Sequence, residues 1–389
     1  MKDRAAKFSL HWKRDVQRRE ERREERSPCT AVRTDQYKPP QPRKASVSRT
    51  ARQLNMATRW GLCGAGKISH DFSVAMKTLA PEHHQIAAIA SQSLERAKDF
   101  AKKHGIPTAY GSYAELAGNP DVDVVYLGVL HTEHWKVGLL FLEAGKNVLC
   151  EKPFAMNSRQ VKELVAAAKK NNVFLMEAIW SRCFPVYAEV RRLLEEEAVG
   201  EVKLVKAYFG SPQLHIPRSV RKELGGGALL DIGVYCLQFV LMVFDGERPA
   251  SIQATGALLD SGVDESVVVA MKFSRNRVAL CAFSIATRLP NDAVICGTGG
   301  CIKVLDHMHC PTTLVVNDKE MKYPLPEPSL PLNFTNSTGL RYEAEEVRQC
   351  LLKGLKESQR MPLAQSVLLT EIMDEIRKQV GVAFSQDSQ

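Results

Sequence analysis

No run in this chain approaches 18 consecutive apolar residues, so no segment reads as a membrane span and no membrane partner is expected. The amino-terminal region lacks an apolar h-region, which excludes a secretory signal, and its acidic residues argue against a mitochondrial transit peptide. None of the ten cysteines forms a Cys-x-x-Cys pair. Several of them, such as Cys63, Cys150 and Cys281, sit inside apolar strand-like runs, the pattern of buried free thiols in a reducing compartment; a cytoplasmic location is expected. Cys296, Cys301, His307, His309 and Cys310 place five soft ligands within fifteen residues, but their spacing matches no paired-knuckle zinc pattern and no metal is expected. A Gly-x-Ser-x-Gly nucleophile elbow is also missing.

The formal charge of +9 suggests a nucleic-acid partner until it is located. Residues 1–55 hold 16 basic and 7 acidic residues, the whole of the excess, and the other 334 carry 37 of each. A neutral body gives no concentrated field for phosphate, so nucleic-acid binding by the globular part is not expected. The basic stretch itself mixes Arg with Glu and then turns Pro- and Ser-rich, which reads as a disordered extension able at most to seek polyanions.

With 389 residues and 44% hydrophobic content, two domains are the starting expectation. From Arg59 short β-rich runs alternate with helical patterns: strands near 60–64, 85–91, 122–128, 147–150 and 173–176, with helices near 68–79, 94–104, 113–117, 135–144 and 158–171. That alternation predicts a parallel sheet wound by helices over residues 56–180. After Trp180 come one helix near 185–196, a run of seven β-rich segments between 202 and 316 interrupted by a helix at 228–243, and two closing helices near 341–355 and 363–380. Residues 181–389 therefore read as an α+β domain with an open, mostly antiparallel sheet, its last helices free to pack back on the first domain.

Gly64-Ala65-Gly66-Lys67-Ile68-Ser69 follows the first strand and opens the first helix, the context that a dinucleotide fingerprint requires. Gly64 permits a tight turn and Gly66 lets a pyrophosphate approach main-chain N–H groups, while Ile68 and Ser69 begin the helix, Ser69 in place of the third glycine. An ordinary strand-to-helix turn would look similar. At the end of the second strand, Ser91-Gln92-Ser93 offers no carboxylate to bind the 2′-hydroxyl of NAD, and Arg96 in the next turn could face a 2′-phosphate. NADP is expected over NAD, although Arg96 could equally be a solvated helix residue and Ser93 an N-cap.

Glu151-Lys152-Pro153 leaves the strand at the carboxyl edge of the sheet, where ligands of open α/β sheets bind. An ammonium there could lower the pKa of a neighbouring hydroxyl and hold the nicotinamide ribose; a surface lysine before a turn is the plainer reading. Gly225-Gly226-Gly227 precedes a helix that puts Asp231 and Tyr235 four residues apart on one face. Both interrupt an apolar helix, so each needs a partner or a pocket. Tyr235 with Lys152 makes a proton-transfer pair suited to alcohol oxidation, unless Asp231 and Tyr235 are a buried structural pair. His131 and His134 fall at the same edge and either could touch cofactor or substrate, whereas Tyr126, inside a strand, reads as core.

Together, the loop at Gly64, the Glu151-Lys152-Pro153 turn, Met176-Glu177-Ala178-Ile179-Trp180 and the Gly-rich entry to the Asp231 helix resemble the glucose-fructose oxidoreductase and inositol dehydrogenase family, from about Thr58 to Ser385. The resemblance implies a Rossmann domain followed by an open sheet whose outer face pairs two subunits into a homodimer. It further implies Tyr235 as acid/base supported by Lys152 and Asp231, His134 near the nicotinamide, Tyr126 in the site, and Trp180 and Phe209 lining a substrate pocket. Two positions depart from it: many members carry His where this chain has Tyr235, and Gln92 stands where an Arg would help Arg96 with a 2′-phosphate. The expected activity is NADP-dependent oxidation of a vicinal diol or of C1 of an aldose; a non-catalytic NADP-responsive sensor is the alternative.

Overall fold

The computed structural model describes residues 57–388. The basic extension over residues 1–55 lies outside them.

The first sheet is built from β1 (Thr58–Cys63), β2 (His84–Ala90), β3 (Thr108–Tyr110), β4 (Val124–Leu127), β5 (Asn147–Glu151) and β6 (Leu175–Ala178). Its order is β3-β2-β1-β4-β5-β6 and every pairing is parallel. Because both faces are covered by helices, the central strands are apolar almost without interruption: all four residues of β4 are buried. The helices are α1 (Lys67–Met76), α2 (Leu94–His104), α3 (Tyr113–Gly118), α4 (His134–Glu143) and α5 (Ser158–Lys170). Ser93, Ser112 and Asn157 cap three of them through side-chain oxygens. Order reverses between β1 and β4, so the carboxyl ends of these strands open the crevice where such folds bind ligands.

After α6 (Pro185–Glu195) the chain enters the second sheet: β7 (Val202–Gly210), β8 (Ser251–Leu258), β9 (Asp264–Lys272), β10 (Val278–Ser284), β11 (Ala293–Gly297), β12 (Gly300–Val304), β13 (Thr313–Val316) and β14 (Lys319–Lys322). The order is β14-β13-β12-β11-β7-β10-β9-β8, antiparallel except for the parallel β7–β10 pair. One face is core, with Val205, Ala207 and Phe209 of β7 buried; the other face is open. The α/β fold class and the mostly antiparallel second sheet agree with the sequence expectation.

The helix expected over 228–243 begins differently. Leu229–Gly233 is a π-helical turn, and only Val234–Val243 (α7) is α-helical. Asp264, from β9, accepts the Leu229 N–H at 2.6 Å, and its Oδ1 fills the space that a Cβ on Gly227 would need. Gly227 has φ +119, so glycine is required on both counts. The stretch Lys222–Val243 is long and apolar enough to cross a membrane, yet it is almost entirely buried within the domain. Two helices close the fold: α8 (Leu340–Leu352) packs on α1, and α9 (Leu363–Val380) lies against α5 and β8.

Candidate active site

Gly64 takes φ +102, and a Cβ there would meet the Gly128 carbonyl oxygen at 2.8 Å. Gly66 is extended and caps α1 without a side-chain hydrogen bond, and the space over it is open: a Cβ at Gly66 would have no neighbour nearer than 3.9 Å. The first N–H groups of α1 are thus left for an anion. Ile68 is half-buried, and Ser69 is buried under Gly128, where a Cβ on Gly128 would come within 2.8 Å of Ser69 Oγ. That close helix–strand packing is the task of the third fingerprint residue, and a small serine performs it here. A dinucleotide pyrophosphate fits this loop. Ser93 accepts the Arg96 N–H at 3.3 Å, so it is an N-cap, while the Arg96 and Gln92 side chains are exposed at the end of β2.

Across the crevice, Lys152 reaches Asp231. Its Nζ donates to the Asp231 carbonyl at 2.6 Å and lies 3.4 Å from Oδ1. Arg218 completes the cluster, donating from Nη1 to Oδ1 at 3.0 Å and from Nη2 to Oδ2 at 3.2 Å. Burial by itself would raise the Asp231 pKa, but Lys152 and Arg218 overcome it and hold the carboxyl well below its ordinary range. Nothing in the sequence around Arg218 distinguishes it; only the fold brings it to Asp231.

Tyr235 Oη accepts from Trp180 Nε1 at 2.9 Å, and Lys152 Nζ lies 5.0 Å from the centre of its ring. The two side chains from separate domains therefore meet. Burial outweighs the lowering of the Tyr235 pKa expected from the ammonium. Lys152 is committed to Asp231, and burial, with Glu151 nearby, pushes the phenol well above its usual value. Tyr235 is thus a neutral phenol in this state.

Tyr126 is more than core. Its ring stacks on Phe72 at 3.9 Å, and its hydroxyl donates to Glu151 Oε1 at 2.5 Å while Glu151 Oε2 accepts the Lys152 N–H. Burial raises the Glu151 pKa. Glu343 on α8, which the sequence did not single out, is also fully buried, its two oxygens without a partner among the described residues; burial and Glu151 push its pKa well above the carboxylate range.

Both histidines bind backbone. His131 Nε2 is 2.8 Å from the Gly225 carbonyl, tying the β4 edge to the Gly-rich entry; His134 Nδ1 lies 2.9 Å from the Pro153 carbonyl and Nε2 3.1 Å from that of Val129. Burial pushes their pKa values down to about 3 and about 4, so both rings are neutral and His134, with a single N–H, donates to only one of its two carbonyls. Their visible work is to fix the loops that present Lys152 and Gly225.

Trp180, Phe209 and Tyr235 share an aromatic wall with a residue weighed in the sequence only as a metal ligand. His309 stacks on Phe209 at 4.2 Å with 13° between planes and stands 5.4 Å from the Tyr235 ring. Its loop is pinned by Ser181 to the His309 carbonyl, by Tyr187 to that of Met308 and by Asn336 to that of Cys310. Burial lowers the His309 pKa to about 3 and leaves Nδ1 without a partner among the described residues. No group of three or more metal-ligating side chains occurs among the described residues.

Residues 58–179 match the family described as an oxidoreductase family with an NAD-binding Rossmann fold, and residues 187–303 match the GFO/IDH/MocA C-terminal domain. The trans-1,2-dihydrobenzene-1,2-diol dehydrogenase of Danio rerio is 61% identical over 334 residues, which is 86% of this chain and 100% of that protein. The Homo sapiens protein of the same name is 45% identical over 332 residues, 85% of this chain and 99% of its own. Among solved structures, levoglucosan dehydrogenase in complex with NADH and levoglucosan superposes with a TM-score of 0.73 at 21% identity, over 84% of this chain and 98% of that one. A 3-ketoreductase from Actinomadura kijaniata in complex with NADP and TDP-benzene aligns with a TM-score of 0.68 at 25% identity, over 83% of this chain and 98% of that one.

Proposed function

This chain belongs to the GFO/IDH/MocA oxidoreductase family, and from that premise we propose that it oxidises trans-dihydrodiols, or C1 of an aldopyranose such as D-xylose, with NADP. It is a dehydrogenase acting on CH–OH groups and it uses a nicotinamide cofactor. The observation that carries the finer reading is the meeting of Tyr235 with the Lys152–Asp231–Arg218 cluster beside an aromatic wall.

Support for NADP is the missing carboxylate at Ser91-Gln92-Ser93 and the exposed Arg96 guanidinium at that strand end. The uncapped N-terminus of α1 would hold the pyrophosphate. A bound oxidised nicotinamide would supply the hydride acceptor. As tyrosinate, its own proton first lost to solvent, Tyr235 Oη accepts the substrate hydroxyl proton in oxidation; as the neutral phenol it donates that proton in carbonyl reduction. Lys152 and Asp231 fix the floor on which that exchange occurs, Arg218 locks Asp231, and His131 and His134 hold the loops. Trp180, Phe209 and His309 present ring faces that suit the apolar side of a cyclic diol or pyranose.

The open face of the second sheet supports a homodimer: Val268 and Val278 remain 47% and 42% exposed there, an apolar face that a second copy would cover. The nine described cysteines are free, which supports a cytoplasmic site of action. Incubating the protein with NADP or NAD and a panel of trans-diols and aldoses tests the reading, with NADPH absorbance as the signal. Turnover with NADP and at least one such substrate is expected; cofactor binding without turnover on the whole panel would favour the sensor alternative.

A further inference from the structure

After β14, residues 323–336 form a strap without helix or strand, and four of these residues, Pro324, Pro326, Pro328 and Pro331, are prolines. Proline has no N–H, so such a strap has few main-chain donors with which to hold the body of the protein. Those of Asn333 and Phe334 go to one carboxylate. Asp71, fully buried on α1, accepts the Asn333 N–H at 2.9 Å on Oδ1 and 3.1 Å on Oδ2, Asn333 Nδ2 at 2.8 Å and the Phe334 N–H at 2.9 Å. His70, one residue earlier, donates from Nε2 to the Pro331 carbonyl at 2.9 Å. The clamp therefore sits on the second turn of the helix that the Gly64–Gly66 loop opens.

The far end of the strap reaches the aromatic wall. Asn336 Nδ2 donates to the Cys310 carbonyl at 2.9 Å, next to His309, and Ser337 Oγ donates to the Phe334 carbonyl at 2.9 Å, joining the two anchors. Of the contacts that pin the His309 loop, from Ser181, Tyr187 and Asn336, the last is the one the strap carries. Packing a loop on a helix needs no charge, since apolar side chains do it at lower cost. A buried carboxylate is tolerated only when its oxygens are hydrogen-bonded, and it then fixes the direction of its donors as well as their distance.

We propose that Asp71 is a positioning residue of the active site, setting the His309 side of the aromatic wall relative to the cofactor helix by way of the strap. The inference rests on the reading of that wall as the substrate pocket. Asp71 acts through Asn333 and Phe334 and not by contact with the wall. Tyr235 is held by Trp180, and Lys152 by Asp231, rather than by the strap, so the effect falls on substrate binding and leaves the proton transfer in place. The first turn of α1 is also left intact, so the cofactor keeps its anchor.

Asp71→Asn keeps the shape of the side chain but turns an amide NH2 toward the donors of the strap. In the full chain it should raise KM for the best diol or aldose by roughly tenfold, the loss of one charge-assisted contact, with kcat and NADP affinity within about threefold. Asn336→Ala cuts the other end, and in the double variant KM should rise no further than in Asn336→Ala alone, because both act through one strap. Histidine-selective NMR reads the wall without turnover: the His309 ring signal, identified by its loss in His309→Phe, should shift in Asp71→Asn. Asn333→Ala, which removes only the side-chain part of the clamp, should shift it in the same direction by less, and it stands in should Asp71→Asn fail to fold. A wild type inactive on every diol and aldose would sink the proposed reaction, and the His309 signal would still decide the clamp. An unmoved His309 signal, a KM unchanged by Asp71→Asn in an active enzyme, or KM effects that multiply in the double variant would each overturn the proposal.

Discussion

Replacing Asp231 by Asn removes the one anion that two cations share. Asp231 is buried, with 7% of its side chain exposed, against 16% for Lys152 and 36% for Arg218. Breaking a fully buried pair from one side costs about 3–5 kcal/mol, and the partial exposure of both cations here reduces that to roughly 2–3 kcal/mol. For a domain pair of this size the loss lowers Tm by roughly 3–4 °C. Lys152 keeps the Asp231 carbonyl at 2.6 Å, so the neutral variant strands Arg218 more than Lys152. Adding Arg218→Met to Asp231→Asn should then restore part of the lost stability, a coupling that thermal unfolding of the four proteins measures. The sign with pH follows from the depressed pKa: the contribution is complete above the ordinary carboxylate value and fades as pH falls below about 4. A Tm unchanged by Asp231→Asn, or two losses that simply add, would refute the claim that this cluster is a buried, mutually dependent unit.

His309→Phe keeps the stack on Phe209 and removes an unpartnered buried nitrogen, so it should raise stability by about 1 kcal/mol; a drop in Tm would show that Nδ1 has a partner in solution. Arg96→Ala should raise KM for NADP by roughly tenfold, the loss of one charge-assisted contact, and leave KM for NAD within twofold. His131 and His134 stay neutral down to about 3 and about 4, while unfolded imidazoles protonate below about 6.5. Stability should therefore fall as pH is lowered from 6.5 towards 4, by up to about 1.4 kcal/mol per pH unit per histidine, and His134→Gln should flatten the slope in denaturant titrations.

The parallel sheet was legible because strands such as β4 are apolar throughout and the helices between them carry serine and asparagine caps. β3 and β14 were not, since neither contains a fully buried residue and so neither shows a period. Lys152, Asp231 and Tyr235 could be read from polar residues placed where an apolar pattern should continue. Arg218, His309 and Glu343 could not, because their significance lies in partners that only the folded chain supplies. The π-turn at Leu229–Gly233 is of the same kind: Asp264 packs against Gly227 and Phe283 against Gly233, contacts with strands more than thirty residues away.

The claim on which the rest depends is that Tyr235 moves the proton. Tyr235→Phe keeps the ring and removes only the hydroxyl that accepts from Trp180. Turnover with NADP and the best diol or aldose should fall by about 10²–10⁴-fold while NADP affinity, read by fluorescence titration, stays within a few-fold. Turnover reduced less than tenfold, with affinity intact, would contradict it.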